Sequence, residues 1–393
     1  MSYADQVFRR NCEDILKNGV WDTELAVRPR WEDGTPAHTV KKFGIVNRYD
    51  LQREFPILTL RRTYWKSAVD ELLWIWQKKS NNIHDLNSHI WDSWADEDGS
   101  IGKAYGYQMG VKHVYKEGMM DQVDRVIYDL KHNPYSRRIM TNIYVHQDLH
   151  EMNLYPCAYS VTFNVTKKPG HDKLTLNAIL NQRSQDILAA NNWNVVQYAA
   201  LVYMMAQVCD MEPGELVHVI ADAHIYDRHI PIIKEMIKRE TYPAPKVTLN
   251  PEVKDFYEFT TDDFKIEDYQ AGEQINNINI GDSARWLVEP AVTGAGVAEV
   301  QHIVIKPMDV GLETSLMVTT NKRTYHFRLR SHRTQYMPKV SFIYPDTVQQ
   351  RFMALKNRQE EDRKEKTIPE TQEYLGNLDF GYSISGSSPW KPV

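Results

Sequence analysis

Cysteine is scarce in this chain of 393 residues: Cys12, Cys157 and Cys209 are an odd number with no metal-ligand spacing. Neither a disulfide framework nor a zinc site is expected from them, so no metal is expected and a reducing cytosol is the expected compartment. Also missing is any run of about 18 apolar residues, so no membrane span is predicted. The N-terminal stretch mixes Asp5, Arg9, Arg10, Glu13 and Asp14 among apolar positions, which does not read as a signal peptide. There is no basic excess either. A net charge of -5 leaves no electrostatic footprint for nucleic acid, although a local basic cluster could still take a small phosphate. No repeat of solenoid length is visible.

The composition that is present is ordinary for a soluble globular chain: 42% apolar residues, 25% charged, with 22 tyrosines and 10 tryptophans for cores and pockets. The length suggests two bodies. Val7, Cys12, Ile15 and Leu16 recur at helical spacing over 4–17, as do Val69, Leu72, Leu73 and Trp76 over 66–77. Between 159 and 181 the period changes to two. Val161, Phe163 and Val165 alternate, then Leu174, Leu176, Ala178 and Leu180, across the turn Lys167-Lys168-Pro169-Gly170, which predicts a hairpin with one buried face. The stretch from Asn194 to Val208 suits a buried helix, and Leu216–Ala221 a further strand. The first 275 or so residues therefore read as mixed α and β, with strands clustered after position 140.

From about 276 the texture changes to short strands without helices, at 285–288, 302–305, 314–319, 324–329 and 340–344, punctuated by Gly294-Ala295-Gly296 and Pro307. We divide the chain at 278. A β-rich, sandwich-like module is expected over 279–348, then a charged helical segment over 349–366 and a polar tail to 393.

Taken alone, Tyr155-Pro156-Cys157 is ambiguous: a cysteine just before a strand is a nucleophile only if cations or a helix end depress its pKa, and is more often inert core. The run Asn181-Gln182-Arg183-Ser184-Gln185-Asp186 changes the odds, because a core strand would not choose a guanidinium, a hydroxyl and a carboxylate together. Ser136-Arg137-Arg138 comes after the turn signal Asn133-Pro134, and Arg28-Pro29-Arg30 lies in a loop. Each is more often a solvated face, but three arginine sites plus a serine are the groups a phosphate dianion needs.

These segments occur in the order of a known family. Residues 1 to about 278 resemble thymidylate synthase through Asp33-Gly34-Thr35-Pro36-Ala37-His38, Glu71-Leu72-Leu73-Trp74, Trp91-Asp92-Ser93-Trp94, Ser136-Arg137-Arg138, Pro156-Cys157, Gln182-Arg183-Ser184-Gln185-Asp186, Trp193-Asn194 and Asp222-Ala223-His224-Ile225-Tyr226. Any one is weak, and the ordered set is specific. The resemblance implies an α+β fold, a homodimer joined through the backs of its sheets, dUMP as substrate and 5,10-methylenetetrahydrofolate as cosubstrate. Carried over residue by residue, Cys157 is expected to add to C6 of the pyrimidine and so make C5 a nucleophile. Arg28, Arg183 and Ser184 are expected on the dUMP phosphate, with Arg137 and Arg138 reaching in from the other subunit. His224 and Tyr226 match the residues that bond the deoxyribose 3′-hydroxyl.

Asn194 matches the asparagine that reads the base; its amide can donate to O4 and accept from N3–H of uracil, and cytosine presents the opposite polarity. Glu71 matches the carboxylate that organises proton transfers, and Tyr105 the tyrosine near C5. Trp91, Trp94, Leu154, Asp186 and Ala190 match the folate pocket, although Trp91 and Trp94 read equally well as core. Arg183 beside Cys157 is expected to lower the thiol pKa. The sequence departs from the family at Ala158, where many members have histidine, at Ala190, where glycine is common, and at Asn191-Asn192-Trp193.

The expected Pro-Val-Ala-Val-like ending after 278 is also absent. Residues from about 279 to 393 instead resemble the TrbG-type core components of conjugative type IV secretion machines, through Gly281-Asp282-Ser283-Ala284-Arg285-Trp286, Lys306-Pro307, Thr319-Thr320-Asn321-Lys322-Arg323-Thr324-Tyr325-His326, Tyr344-Pro345, Asn377-Leu378-Asp379-Phe380 and Pro389-Trp390-Lys391-Pro392-Val393. That part is expected to be a fragment in a fusion, packing or binding a partner without catalysis. Two rivals to the synthase reading remain: a dUMP hydroxymethylase, in which water traps the C5 methylene intermediate, and a noncatalytic secretion-core interaction protein. Retention of Cys157, Glu71, Arg183 and Asn194 together argues against the second.

Overall fold

The computed structural model describes residues 2–31, 33–88, 90–272, 277–280, 285–293, 300–319, 324–334 and 340. The N-terminal unit opens with helix α1 (Tyr3–Asn18), capped by the Ser2 hydroxyl, which accepts from the Asp5 backbone N–H at 3.2 Å. Its Val7, Cys12 and Ile15 are buried as their spacing predicts, Leu16 is half-buried, and Phe8 is buried as well. Strands β1 (Val20–Trp21) and β2 (Thr39–Asp50) come next, then α2 (Trp65–Trp76), a short α3 (Gly106–Gly110), and the small hairpin β3 (His113–Tyr115) and β4 (Gly118–Met120). After α4 (Gln122–His132) come β5 (Met140–Asn142), β6 (Ala158–Thr166), β7 (Thr175–Asp186), α5 (Asn191–Val208), β8 (Glu212–Tyr226) and α6 (Ile230–Met236).

Six strands make one sheet in the order β1-β2-β8-β7-β6-β5. The predicted hairpin is present, with Val161 paired to Leu180 and Phe163 to Ala178, and Gly170 in its turn at φ 78°. β7 and β8 are parallel, which requires a crossover, and α5 supplies it. That helix is apolar nearly all round and almost wholly buried against the sheet and α2, the expected fate of such a stretch. It begins at Asn191, three residues before the predicted start, and β8 runs well beyond Leu216–Ala221 at both ends.

The twelve-residue β2, paired along β8, is the largest element that sequence reasoning missed. Its lysines, Asn47 and Arg48 look loop-like, and Gly44 at φ 76° breaks the alternation.

In the C-terminal part Trp286–Thr293 pairs antiparallel with Val300–Pro307, and two more strands run over Glu313–Thr319 and Thr324–Arg330. Four of the five predicted strands fall on these. Contacts divide the chain into Met1–Asn279 with Leu316–His326, and Ile280–Ser315 with Phe327–Val393. The predicted turn at Gly294-Ala295-Gly296, the strand from 341 to 344, the helical segment 349–366 and the polar tail lie outside the described residues. Among the described residues no helix is long and apolar enough to cross a membrane.

Candidate active site

Strand pairing assembles the site. Cys157 stands immediately before β6, whose Ala158 pairs with Gln182 of β7 ahead of a bulge between Ala158 and Ser160. Such a bulge re-aims the backbone at a strand start. The Arg183 backbone N–H donates to the Cys157 carbonyl at 2.9 Å, locking the two residues side by side. On the other edge of β7, Ser184 lies across from Asp222 and Asp186 across from His224. Residues from three strands therefore meet at one end of the sheet.

Two backbone carbonyls aim the guanidinium of Arg183. Its Nε donates to the Pro156 oxygen at 2.9 Å and its Nη2 to the Tyr155 oxygen at 2.7 Å, which leaves Nη2 at 3.7 Å from the Cys157 sulfur. The thiol pKa is nevertheless raised: burial pushes it up, and the Arg183 charge and the Tyr105 hydroxyl pull it down without cancelling the burial. The expected direction of the Arg183 effect is present, but the net depression is not.

Tyr105 accepts the Cys157 backbone N–H on its hydroxyl at 3.1 Å. It does so from φ 46°, ψ -106°, a strained conformation for a residue with a side chain, and strain of that kind collects at functional positions. Its buried ring packs edge-on to Trp91 at 4.9 Å, and Trp91 tilts against Trp74 at 5.8 Å. Trp91 is thus core, as its alternative reading had it, whereas Trp94 is 39% exposed. Leu154 is half-buried, packed on the core, and Ala190 caps the start of α5.

Glu71 is buried on α2, and burial pushes its carboxyl up to about 7; Trp193, Gln197 and Trp91 hold it below where burial alone would leave it. The Trp193 Nε1–H donates to its Oε2 at 2.8 Å. Asn194, on the next residue of α5, accepts from Gln182 Nε2 at 3.1 Å and donates to Gln197 Oε1 at 3.1 Å. Gln182, a motif residue with no role assigned by sequence, therefore belongs to the site, together with Gln197 and His218, which lie outside the motifs. The available signal was a glutamine inside the apolar run of α5, three residues after Asn194.

Burial would raise the Asp186 carboxyl, but His229, the Ala189 N–H and His224 outweigh it and hold the group below its usual range. An anionic carboxylate there suits a pterin ring's N–H donors. His229 Nδ1 lies 3.7 Å away, another residue the sequence did not flag. His224 bonds Asp222 at 2.8 Å, and its ring meets Tyr226 edge-on at 5.2 Å. Asn192, one of the departures, is a tether: its amide takes the Leu58 N–H at 2.9 Å and gives a hydrogen bond to the Pro56 oxygen at 3.0 Å.

Arg28, Arg137 and Arg138 lie in loops. Arg183 alone of the four expected phosphate arginines contacts the cysteine; the other three side chains make no hydrogen bond or ion pair among the described residues. Ser184 is half-buried on β7.

Residues 6–279 match the family model described as thymidylate synthase, and residues 263–393 match the model described as conjugal transfer protein. Thymidylate synthase of Bacillus subtilis subsp. natto is 45% identical over 280 residues, 70% of this chain and 98% of that protein. The Bacillus licheniformis enzyme is 46% identical and that of Bacillus phage phi3T 45%, with the same coverage. A solved structure, thermostable thymidylate synthase A from Bacillus subtilis, superposes with a TM-score of 0.66 at 44% identity, covering 70% of this chain and 98% of its own.

Proposed function

Because the chain belongs to the thymidylate synthase family, we propose that it methylates dUMP with Cys157 as the nucleophile and Arg183 as the cation that both aims the thiol and meets the phosphate. The reaction is the reductive methylation of dUMP to dTMP, a methyltransferase activity, and the family uses 5,10-methylenetetrahydrofolate as cosubstrate. The folate supplies the one-carbon unit and the hydride. The observation that carries the residue assignment is the 3.7 Å approach of the Arg183 guanidinium to the Cys157 sulfur.

The thiolate adds to C6, and the electron pair displaced from the C5–C6 bond makes C5 nucleophilic. Cys157 starts with its thiol pKa raised by burial, so the positive charge of Arg183 and the Tyr105 hydroxyl matter most as the proton leaves. Glu71, with a pKa of about 7, can both give and take a proton near neutrality, as a general acid-base group must. Tyr105, which accepts the Cys157 backbone N–H, takes part in removing the C5 proton. Asn194 reads the base. Arg28 and Ser184 join Arg183 on the phosphate, and Arg137 and Arg138 reach the site across the interface of the family's dimer. His224 and Tyr226 hold the 3′-hydroxyl.

Trp94, Leu154, Asp186, Ala190 and the edge of Trp91 form the folate face, with the Asp186 carboxylate kept anionic by His229 and the Ala189 N–H. We place the enzyme in the cytoplasm, where a catalytic thiol stays reduced. Domain limits of 1–278, 279–348 and 349–393 complete the reading, and the C-terminal part has no catalytic role in it. Mass spectrometry of products after incubation with dUMP and methylenetetrahydrofolate tests it: dTMP is expected, and absence of any C5-modified nucleotide contradicts it.

A further inference from the structure

A chain of side-chain amides runs through the site, and backbone carbonyls dictate its direction. Carbonyl oxygens accept hydrogen bonds and never donate them. Gln197 faces the Ala68 oxygen at 3.2 Å, so it must present its NH2 there and turn Oε1 towards Asn194. Gln182 faces the Ser184 oxygen at 3.0 Å, so its NH2 points that way and also meets Asn194 at 3.1 Å. Asn194 is therefore fixed from both ends: Nδ2 towards Gln197, Oδ1 towards Gln182. Reversing it sets two donors against each other on one side and two acceptors on the other. Avoiding those clashes requires both glutamines to turn, and each then points its oxygen at a carbonyl oxygen. Both glutamines are buried, Gln182 3% and Gln197 2% exposed, so water cannot repair a mismatch.

The far end obeys the same polarity. Gln182 Oε1 lies 2.8 Å from His218 Nε2, so that nitrogen carries the proton and Nδ1 is bare. Among the described residues His218 Nδ1 has no hydrogen-bond partner, and burial pushes the imidazole pKa down to about 3, which keeps the ring neutral. Near Asn194 the second lone pair of Oδ1 is approached only by Gln185 Nε2, at 3.5 Å, among the described residues. One N–H of the Asn194 amide thus stays available for O4 of uracil, and Oδ1 can take N3–H by giving up its long 3.5 Å contact to Gln185 while keeping the 3.1 Å bond from Gln182.

Resting on the reading that Asn194 selects the base, we infer that Gln182 and Gln197 are positioning residues that hold the Asn194 amide in the orientation complementary to uracil and mismatched to cytosine. The dUMP phosphate and sugar are bound elsewhere, so loss of either glutamine should change discrimination more than overall affinity.

The test is calorimetric binding of dUMP and dCMP to the full chain carrying Gln182→Met, Gln182→Glu or Gln197→Met. None of these replacements keeps the amide donor, and Glu keeps the volume. The ratio of dUMP to dCMP affinity should fall by about tenfold in each, the scale of one buried polar mismatch. An unchanged ratio, whatever happens to kcat, overturns the inference. Asn194→Ala runs in parallel: if it retains the preference for dUMP, the base-reader reading itself has failed. If Asn194→Ala loses the preference and the glutamine variants keep it, only the positioning role has failed. Should the variants not fold, 15N-histidine spectra of the unsubstituted chain decide. His218, assigned by its loss in His218→Gln, should be the Nε2–H tautomer and should not titrate between about pH 5 and pH 8. An Nδ1–H tautomer contradicts the polarity of the whole chain.

Discussion

Arg183 reaches Cys157 with the same nitrogen that it binds to the Tyr155 carbonyl, 2.7 Å to the oxygen and 3.7 Å to the sulfur. The cation is thereby aimed before any substrate arrives, and it offsets part of the burial that raises the thiol pKa. Arg183→Gln removes the charge and leaves the burial. The pH midpoint for alkylation of Cys157 by iodoacetamide, read by peptide mass spectrometry, should move upward, and the rate at neutral pH should fall. A midpoint that stays in place shows that the guanidinium does not act on the thiol.

Glu71 carries a consequence for stability. Its folded-state pKa of about 7 lies above the ordinary value of 4.5, so the folded protein binds a proton more tightly than the unfolded chain does. The favourable contribution is full below the unfolded pKa and is lost as pH rises through about 7. Glu71→Gln keeps an acceptor for the Trp193 N–H without a charge. It should therefore stabilise the protein at alkaline pH, by on the order of 3 kcal/mol, and change little at mildly acidic pH. Thermal melting across that range checks the sign, and dTMP formation by the variant should drop sharply at every pH.

Base choice is a separate question. Asn194→Asp replaces a donor-acceptor pair by a carboxylate, which suits the cytosine amino group better than uracil O4. The ratio of kcat/KM for dUMP over dCMP should fall at least about tenfold, on the scale of ~1–3 kcal/mol for a mismatched buried polar group. If that ratio is unchanged, another residue reads the base.

The approach to the end of the synthase part bears on the fate of the intermediate. Tyr269 donates to the Leu58 oxygen at 2.6 Å and the Gly272 N–H to the Thr59 oxygen at 2.8 Å, so the chain is fastened there, and it then continues beyond Ile278. In the family a free tail closes the folate site and excludes water. A version ended at Ile278 with Pro-Val-Ala-Val added should form dTMP several-fold faster than the full chain, with less 5-hydroxymethyl product. Equal turnover with no hydroxymethyl product in either shows that closure does not need a free tail here, and a hydroxymethyl product alone from the full chain favours the hydroxymethylase reading.

The legible parts of the molecule were those with strong local character. The period-two alternation of Val161, Phe163 and Val165 marked the buried face of β6, and the apolar run to Val208 suited a buried helix. Strand β2 was not legible, because apolar Phe43 and Val46 face outward while Asn47 is buried, and Gly44 breaks the period. At the site, Arg183, Ser184 and Asp186 stood out as unusual side chains at a strand and Cys157 gained its role from the family resemblance, while Gln182, Gln197 and His218 were given none. Their roles depend on which backbone carbonyl or amide each one faces, and no sequence spacing encodes that. The net rise of the Cys157 pKa was hidden for the same reason: burial is set by the packed strands around it, whereas the neighbouring arginine is visible in the sequence.

The most direct test of the whole account is tritium release from C5-tritiated dUMP, with and without Cys157. The unsubstituted chain should release tritium to water in the presence of methylenetetrahydrofolate. Cys157→Ala should bind dUMP with about the same affinity, since Arg183 and the phosphate contacts remain, and release none. Release by Cys157→Ala at the rate of the unsubstituted chain would contradict the assignment of Cys157 as the nucleophile.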